Sequence, residues 1–299
     1  RHLEAASGRE LGGWAQEWLQ TAGVNTLSPE FELDDEGRFT RLAIRQTAHP
    51  EWPTLRRHRL GIGFYNDRDG HLVRDRYLEV DVDGELTEIA EAVGLDQPDL
   101  LLLNDNDLTY AKIRLDERSM ATAVGGLSRL DDSLARALVW GAAWDMTRDA
   151  EMPATDFVSL VLANIGAETD SWGVSRIPTY AAQAVNLYAA PANRAALKQR
   201  WEAGLRDLLL AAEPGSDHQL TFVRSYAAAA HTEEALADLD GLLDGSFVVE
   251  GLAVDQDLRW QLLIALAGRG RVEQDRIAAE LEQDHTISGQ EHAAAARAA

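Results

Sequence analysis

The sequence contains no cysteine. Disulfides, thiolate metal ligands and cysteine nucleophiles are therefore excluded, a composition compatible with a cytoplasmic protein. Lysine is nearly absent as well: Lys112 and Lys198 are the two, and every other basic residue is arginine. With the abundant alanine, this is the codon usage expected of a GC-rich bacterial genome. No apolar run approaches the roughly 20 residues that span a bilayer. The most apolar stretch, Leu134 to Met146, has charges nearby and reads as a core helix, so a membrane is not an expected partner. Positive charge is scarce: 28 basic residues face 50 acidic ones, for a net charge of −22. Such a chain repels phosphate backbones, which argues against nucleic acid as a partner. An acidic field can favour substrates with a free amino group, but it also simply keeps a protein soluble.

Several catalytic motifs are missing. A zinc-peptidase helix needs two histidines one turn apart with a glutamate after the first, so that both imidazoles face one metal. His231-Thr232-Glu233-Glu234-Ala235 comes nearest and fails at both defining positions. His49-Pro50-Glu51-Trp52-Pro53 fails too and is bracketed by prolines. Gly61-Ile62-Gly63 lies in an alternating, strand-like stretch and lacks the third glycine of a phosphate loop. No nucleophile elbow of the G-x-S-x-G type occurs. The acidic pairs Asp34-Asp35, Asp131-Asp132 and Glu233-Glu234 sit where a turn or helix start accounts for them. Asn104-Asp105-Asn106-Asp107 lacks the glycine and later glutamate of a calcium loop and reads as a hairpin turn.

A chain of 299 residues is long enough for two domains. It begins Arg1-His2-Leu3-Glu4, without an initiator methionine or a signal pattern, as expected of a fragment, a processed form or a trimmed chain. Leu11, Trp14, Ala15, Trp18 and Leu19 fall at helical spacing, with Gly23 as a C-cap and Asn25, Ser28 and Pro29 as loop. One amphipathic helix reads as the tail of a domain lying upstream. From Pro29 to Asp116 the pattern is β. Phe39 to Gln46 follows an acidic turn at Asp34 to Gly37, and Tyr77 to Val82 alternates ahead of an Asp83-Gly84 turn. Leu60, Ile62 and Phe64 alternate with Gly61, Gly63 and Tyr65 as a half-buried strand. Leu100 to Leu103 suits a strand buried on both faces, followed by Thr109 to Leu115. Short strands between turns predict a small antiparallel β-sandwich. From about Glu117 onward the pattern is helical. Asp131 to Ser133 supply a cap and first turn, and Leu134, Leu138, Ala142 and Met146 share a face. Pro153 and Pro191 open further helices, and Pro178 kinks or ends one. Roughly nine or ten helices without a strict period predict an irregular array of the HEAT-like superhelical kind. The fold class is therefore α+β and multidomain. Expected parts are 1–27 (last helix of an upstream domain and linker), 28–117 (sandwich) and 118–299 (helical domain).

Trp14, Trp18, Trp140, Trp144, Trp201 and Trp260 have the spacing of core residues. Trp52 and Trp172 are candidates for the surface. Arg176, Arg224 and Arg259 interrupt apolar helical stretches. A guanidinium there must find a carboxylate or face a cavity. Pairing within the fold and binding of a peptide carboxylate both meet that need.

Three strings carry a family resemblance. Trp14 to Val24, WAQEWLQTAGV, resembles the end of the catalytic domain in aminopeptidase N-type zinc enzymes (gluzincin aminopeptidases), where a Trp-bearing helix leads into a glycine. Leu101 to Asp116, LLLNDNDLTYAKIRLD, resembles the last strand pair of that family's β-sandwich, with Asn104 in the turn and Tyr110 and Arg114 after it. Asp257-Leu258-Arg259-Trp260 and Asp284 to Ala299 are similar to the end of its helical C-terminal domain. The resemblance implies a non-catalytic C-terminal part of a bacterial aminopeptidase N. It implies zinc in the intact enzyme, no metal or catalytic residue in this chain, an upstream catalytic domain of the same protein as partner, and peptides as substrates. The family's G-x-M-E-N site has no counterpart, since Met120, Met146 and Met152 are not followed by Glu-Asn. The helical domain would close over the active-site cleft and limit substrate access. Arg176, Tyr180, Arg224 and Arg259 are candidate peptide contacts, assigned by no family motif. The alternative is a freestanding helical-repeat interaction module with a β-sandwich attached.

Overall fold

The computed structural model describes residues 2–8 and 10–299, except for the side chains of Leu3 and Ser7. The chain divides into two compact units, Arg1–Pro153 and Ala154–Ala299.

The first unit opens with two short helices, α1 (His2–Ser7) and α2 (Gly12–Leu19). Seven strands follow: β1 (Thr26–Leu33), β2 (Phe39–Thr47), β3 (His58–Arg68), β4 (His71–Val82), β5 (Leu86–Glu88), β6 (Leu100–Asp105) and β7 (Lys112–Ile113). Helices α3 (Glu117–Gly126) and α4 (Ser133–Arg148) close the unit. The strands form two sheets, ordered β5-β2-β1-β7 and β4-β3-β6. All named pairs are antiparallel but β1–β7, which runs parallel over two residues. Phe39 of the first sheet meets Phe64 of the second edge-on at 6.3 Å, so apolar faces of the two sheets share a core. Helix α3 packs on β6, and α4 on β6 and β7. Lys112 and Arg114 reach Asp149, at 2.6 and 2.5 Å, tying the last strand to the end of α4. The division expected at residue 117 follows the change of secondary structure, whereas the compact units follow contacts.

Strand β3 is buried on both faces from Leu60 to Tyr65, not half-buried as its alternation suggested. Its glycines are the reason. A Cβ on Gly61 would collide with the Tyr77 ring and the Asp105 carbonyl, and one on Gly63 with the Asp105 carboxylate. Without them, Asp105 lies fully buried against the strand. It accepts hydrogen bonds from the Tyr65 hydroxyl (3.0 Å) and from Arg74 (2.8 Å). Burial, reinforced by the Asp105 charge, pushes the Tyr65 phenol above its ordinary range.

Ser28 and Pro29, expected in a loop, lie inside β1. Strand β7 reaches only Thr26 and Leu27 of β1, so from Ser28 onward β1 is an edge, where a missing N–H is tolerated. Helix α2 also differs from expectation. It buries no residue, Trp14 and Leu19 are exposed, and its C-cap is Gln20 rather than Gly23. Carbonyls in its last turn and just past its end are taken by the buried guanidinium of Arg56. That group donates to Glu17 O (2.9 Å), Thr21 O (3.2 Å) and Ala22 O (3.0 Å), and lies 5.4 Å from the centre of the Trp18 ring. An arginine from the sandwich thus performs the capping that a glycine was expected to provide.

Helix α4 is capped by the Asp132 carboxylate, which accepts from Leu134 N and Ala135 N. Its buried face contains Ala135, Val139, Trp140, Ala143 and Trp144, leaving Leu134 exposed. The expected Leu134–Leu138 face yields to the two indoles, whose larger apolar area gains more from burial.

The second unit is helical: α5 (Ala154–Asn164), α6 (Ser171–Gln183), α7 (Pro191–Ala211), α8 (Asp217–Ala229), α9 (Glu233–Asp244), α10 (Gln256–Ala267), α11 (Gln274–Leu281) and α12 (Ile287–Ala298). Side-chain caps start five of them: Asp170, Ser216, Thr232, Asp255 and Thr286 each accept a backbone N–H. Packing alternates between helices adjacent in sequence and helices two apart. Helix α7 packs on α8, α8 on α10, and α10 on α9 and α12. The core includes Phe157, Leu160, Trp201, Phe222, Tyr226 and Trp260. Small sheets followed by a helical array make the fold α+β, as the pattern predicted. Among the described residues, no helix is long and apolar enough to cross a membrane.

Candidate functional site

A cavity of the second unit has a volume of about 660 Å³. Its walls come from α6, α7 and α8. Pro178 sits inside α6, where it withholds an N–H and crowds the carbonyl one turn back. The helix ends five residues later in a single π turn, Ala184–Tyr188, closed by Ala189 N to Ala184 O at 2.9 Å. Ala190-Pro191 then starts α7, with Pro191 in the first turn, where proline is well tolerated. The widened turn places Val185 and Asn186 on the cavity wall beside Ser175, Pro178, Thr179 and Ala182 of α6. Helix α7 adds Lys198 and Trp201, and α8 adds Thr221, Arg224, Ser225, Ala228 and Ala229. His231 and Arg269, from the connections after α8 and α10, complete the lining.

The charge of this wall runs against that of the chain. It contains Lys198, Arg224 and Arg269 but no aspartate or glutamate, in a protein with net charge −22. Arg224 is half-exposed and pairs with Asp257 at 2.8 Å. Arg269 is exposed, and its Nε donates to Ala230 O at 2.8 Å. His231 is held by Glu202 at 2.9 Å. That buried carboxylate also accepts the backbone N–H of Thr232 (3.0 Å) and the Thr232 hydroxyl (2.6 Å). Lys198 is half-buried and has no hydrogen-bonding or ionic partner among the described residues. Lys112, the other lysine, is neutralised by Asp149.

The four residues singled out from sequence separate. Arg224 lines the cavity. Arg259 does not: its guanidinium grips the nearly buried Glu280 with two bonds of 2.7 Å and donates to Leu243 O at 3.0 Å. Those bonds hold the Glu280 carboxyl below its ordinary pKa, against the opposing effect of burial. Arg259 thereby joins α10 to α11 and to the end of α9. Arg176 is exposed on α6. Tyr180 is half-buried, its ring edge-on to Trp172 at 6.4 Å. Lys198, Arg269 and His231 were missed as a set. Periodicity does not show that such distant positions share a wall, although a lysine that is one of two was a visible signal.

The acidic pairs serve the local roles expected of them. Asp34 accepts the N–H groups of Glu36 and Arg38 in the β1–β2 turn. Asp132 caps α4, and Glu233 and Glu234 occupy the first turn of α9. Asn104 closes its turn through Thr109 N and Thr109 O. His58 is buried between Thr109 (2.8 Å) and Gln46 (3.1 Å). No three histidine, aspartate or glutamate side chains among the described residues form a group able to hold a metal ion. The zinc that the family resemblance implies thus has no such donor set among the described residues.

Comparison with known proteins agrees with the fold. Residues 100–299 match the model of the ERAP1-like C-terminal domain, a stretch from β6 to the last residue. The chain is also 50% identical, over 304 aligned positions, to Aminopeptidase N of Streptomyces lividans. The match covers 99% of this chain and 36% of that relative, so the chain spans about a third of the relative's length. On this evidence the chain belongs to the ERAP1-like C-terminal domain family and corresponds to the C-terminal portion of an aminopeptidase N-type protein.

Proposed function

We propose that this chain is the non-catalytic C-terminal part of a bacterial, zinc-dependent aminopeptidase that removes N-terminal amino acids from peptides. The observation that carries the reading is the 50% identity, across 99% of the chain, to a protein named Aminopeptidase N. In this reading the division 1–27, 28–117 and 118–299 separates the last helix of a catalytic domain with its linker, a β-sandwich, and a helical domain of HEAT-like curvature. The helical domain caps the active-site cleft and limits the substrate to peptides. The protein's own catalytic domain is the partner, and the absence of cysteine suits the cytoplasm. Zinc, held by residues outside this chain, would supply a Lewis acid and an activated water.

Arg224 and the exposed Arg176 are available to peptide groups beyond the scissile bond, with Tyr180 close to Arg176 on α6. Arg259 contributes to the scaffold through Glu280. The test compares this 299-residue chain with the full-length protein that contains it. The full-length protein should bind about one zinc and release amino acids from aminoacyl substrates, and the chain alone should do neither. A full-length protein that binds no zinc and cleaves no aminoacyl substrate would leave the freestanding interaction module as the reading.

A further inference from the structure

We propose that the cavity between α6, α7 and α8 binds an organic carboxylate carried on an apolar body, with Lys198 and Arg269 as its anion partners. The inference rests on the geometry of this chain and does not require the catalytic reading.

Three observations converge. The first is electrostatic. Acidic residues outnumber basic ones almost two to one in the chain, yet none lines this wall. Nearby carboxylates account for only part of the positive charge: Asp257 serves Arg224, and Glu202 serves His231. Lys198 and Arg269 have no carboxylate partner among the described residues. In an acidic protein, neighbouring aspartates and glutamates readily neutralise a cation, as Asp149 does for Lys112. Two cations kept without a counter-charge on one concave surface form a standing attraction for an anion.

The second observation is the floor. Pro178, Ala182, Val185, Trp201, Ala228 and Ala229 line the same cavity. Apolar surface beside cationic groups favours a ligand with an apolar body and an anionic head. Hydroxyls of Thr179, Thr221 and Ser225 add donors along the wall.

The third observation selects carboxylate over phosphate. No glycine lines the cavity, so there is no loop of converging backbone N–H groups of the kind that cradles phosphate. The N–H groups of His231 and Thr232, just ahead of α9, are already taken by Glu202. What is left for a ligand is side-chain charge on separate elements, well suited to a single carboxylate. Such a carboxylate has two possible sources, the C-terminus of a peptide or a free organic acid.

Isothermal titration of the 299-residue chain tests this, using N-acetyl-dileucine, its C-terminal amide, octanoate and inorganic phosphate as probes. N-acetyl-dileucine should bind, and its amide should bind at least about tenfold more weakly, the loss of one charge-assisted contact. K198M and R269M should each weaken binding by about tenfold. D257N releases Arg224 and should tighten binding by about threefold, a gain that misfolding cannot imitate. Octanoate binding as well as the peptide acid assigns the site to organic acids generally, and binding of the peptide acid alone assigns it to peptide ends. No binding of either acid, equal binding of acid and amide, phosphate binding as tightly as the acid, or unchanged affinity in both cation variants would each overturn the proposal.

Discussion

The two units of this protein treat charge differently. In the first unit the buried charges are partnered and serve the architecture. Asp105 lies between Tyr65 and Arg74, Arg56 holds the end of α2, and Arg114 meets Asp149 and Glu151. The second unit contains pairs of the same kind, Arg259 with Glu280 among them. It also has a wall on which Lys198 and Arg269 have no carboxylate partner among the described residues. A partnered buried charge is expensive to disturb but carries little functional information. An unpartnered cation on a concave surface costs little, because water still reaches it, and marks a place where a ligand gains.

Point mutations test this contrast. The largest effect is expected at Asp105. D105A removes a fully buried carboxylate and strands the Tyr65 hydroxyl and one amine of Arg74. Urea denaturation should show a loss of about 4 kcal/mol. R259M should cost somewhat less, about 3 kcal/mol, because it abandons Glu280 at the junction of α10 and α11. A loss near zero there would mean that the pair is screened like a surface bridge.

A third prediction concerns pH. Burial, aided by the nearby Arg56 charge, pulls the His58 imidazole from 6.5 down to about 4. Between those values the unfolded chain binds the proton and the folded chain does not. The resulting stability is therefore present above pH 6.5 and is lost as pH falls toward 4. The stability gap between the native protein and H58Q should narrow by on the order of 2 kcal/mol between pH 7 and pH 4.5, measured by denaturant midpoints. A gap independent of pH would show that His58 titrates normally. The smallest effect on stability is expected at the cavity. K198M and R269M should leave the denaturation midpoint within about 0.5 kcal/mol of the native protein.

Sequence patterning revealed elements better than faces. Asp132, Pro153 and Pro191 mark helix starts because their chemistry acts locally, on one turn of backbone. The sandwich-then-helices order was legible for the same reason. The double burial of β3 was not, because it depends on Tyr77 and Asp105 arriving from other strands to cover Gly61 and Gly63. The role of Arg56 was hidden likewise, its partners at Glu17, Thr21 and Ala22 being far away in sequence. At the candidate site, Arg224 was legible as a charge on an apolar helix, and so was Arg259. Nothing local tells that one faces a cavity while the other faces Glu280. Lys198 and Arg269 join the wall only through the packing of α7, α8 and α10.

The most direct test measures both properties on the same two variants. For R259M and K198M, the denaturation midpoint and the affinity for N-acetyl-dileucine are recorded side by side. The two variants should behave oppositely. R259M should lose about 3 kcal/mol of stability and keep its affinity within about twofold, while K198M should keep its stability and lose about tenfold in affinity. A K198M variant as destabilised as R259M, or one that binds like the native protein, would contradict the division between architectural and ligand-facing charge.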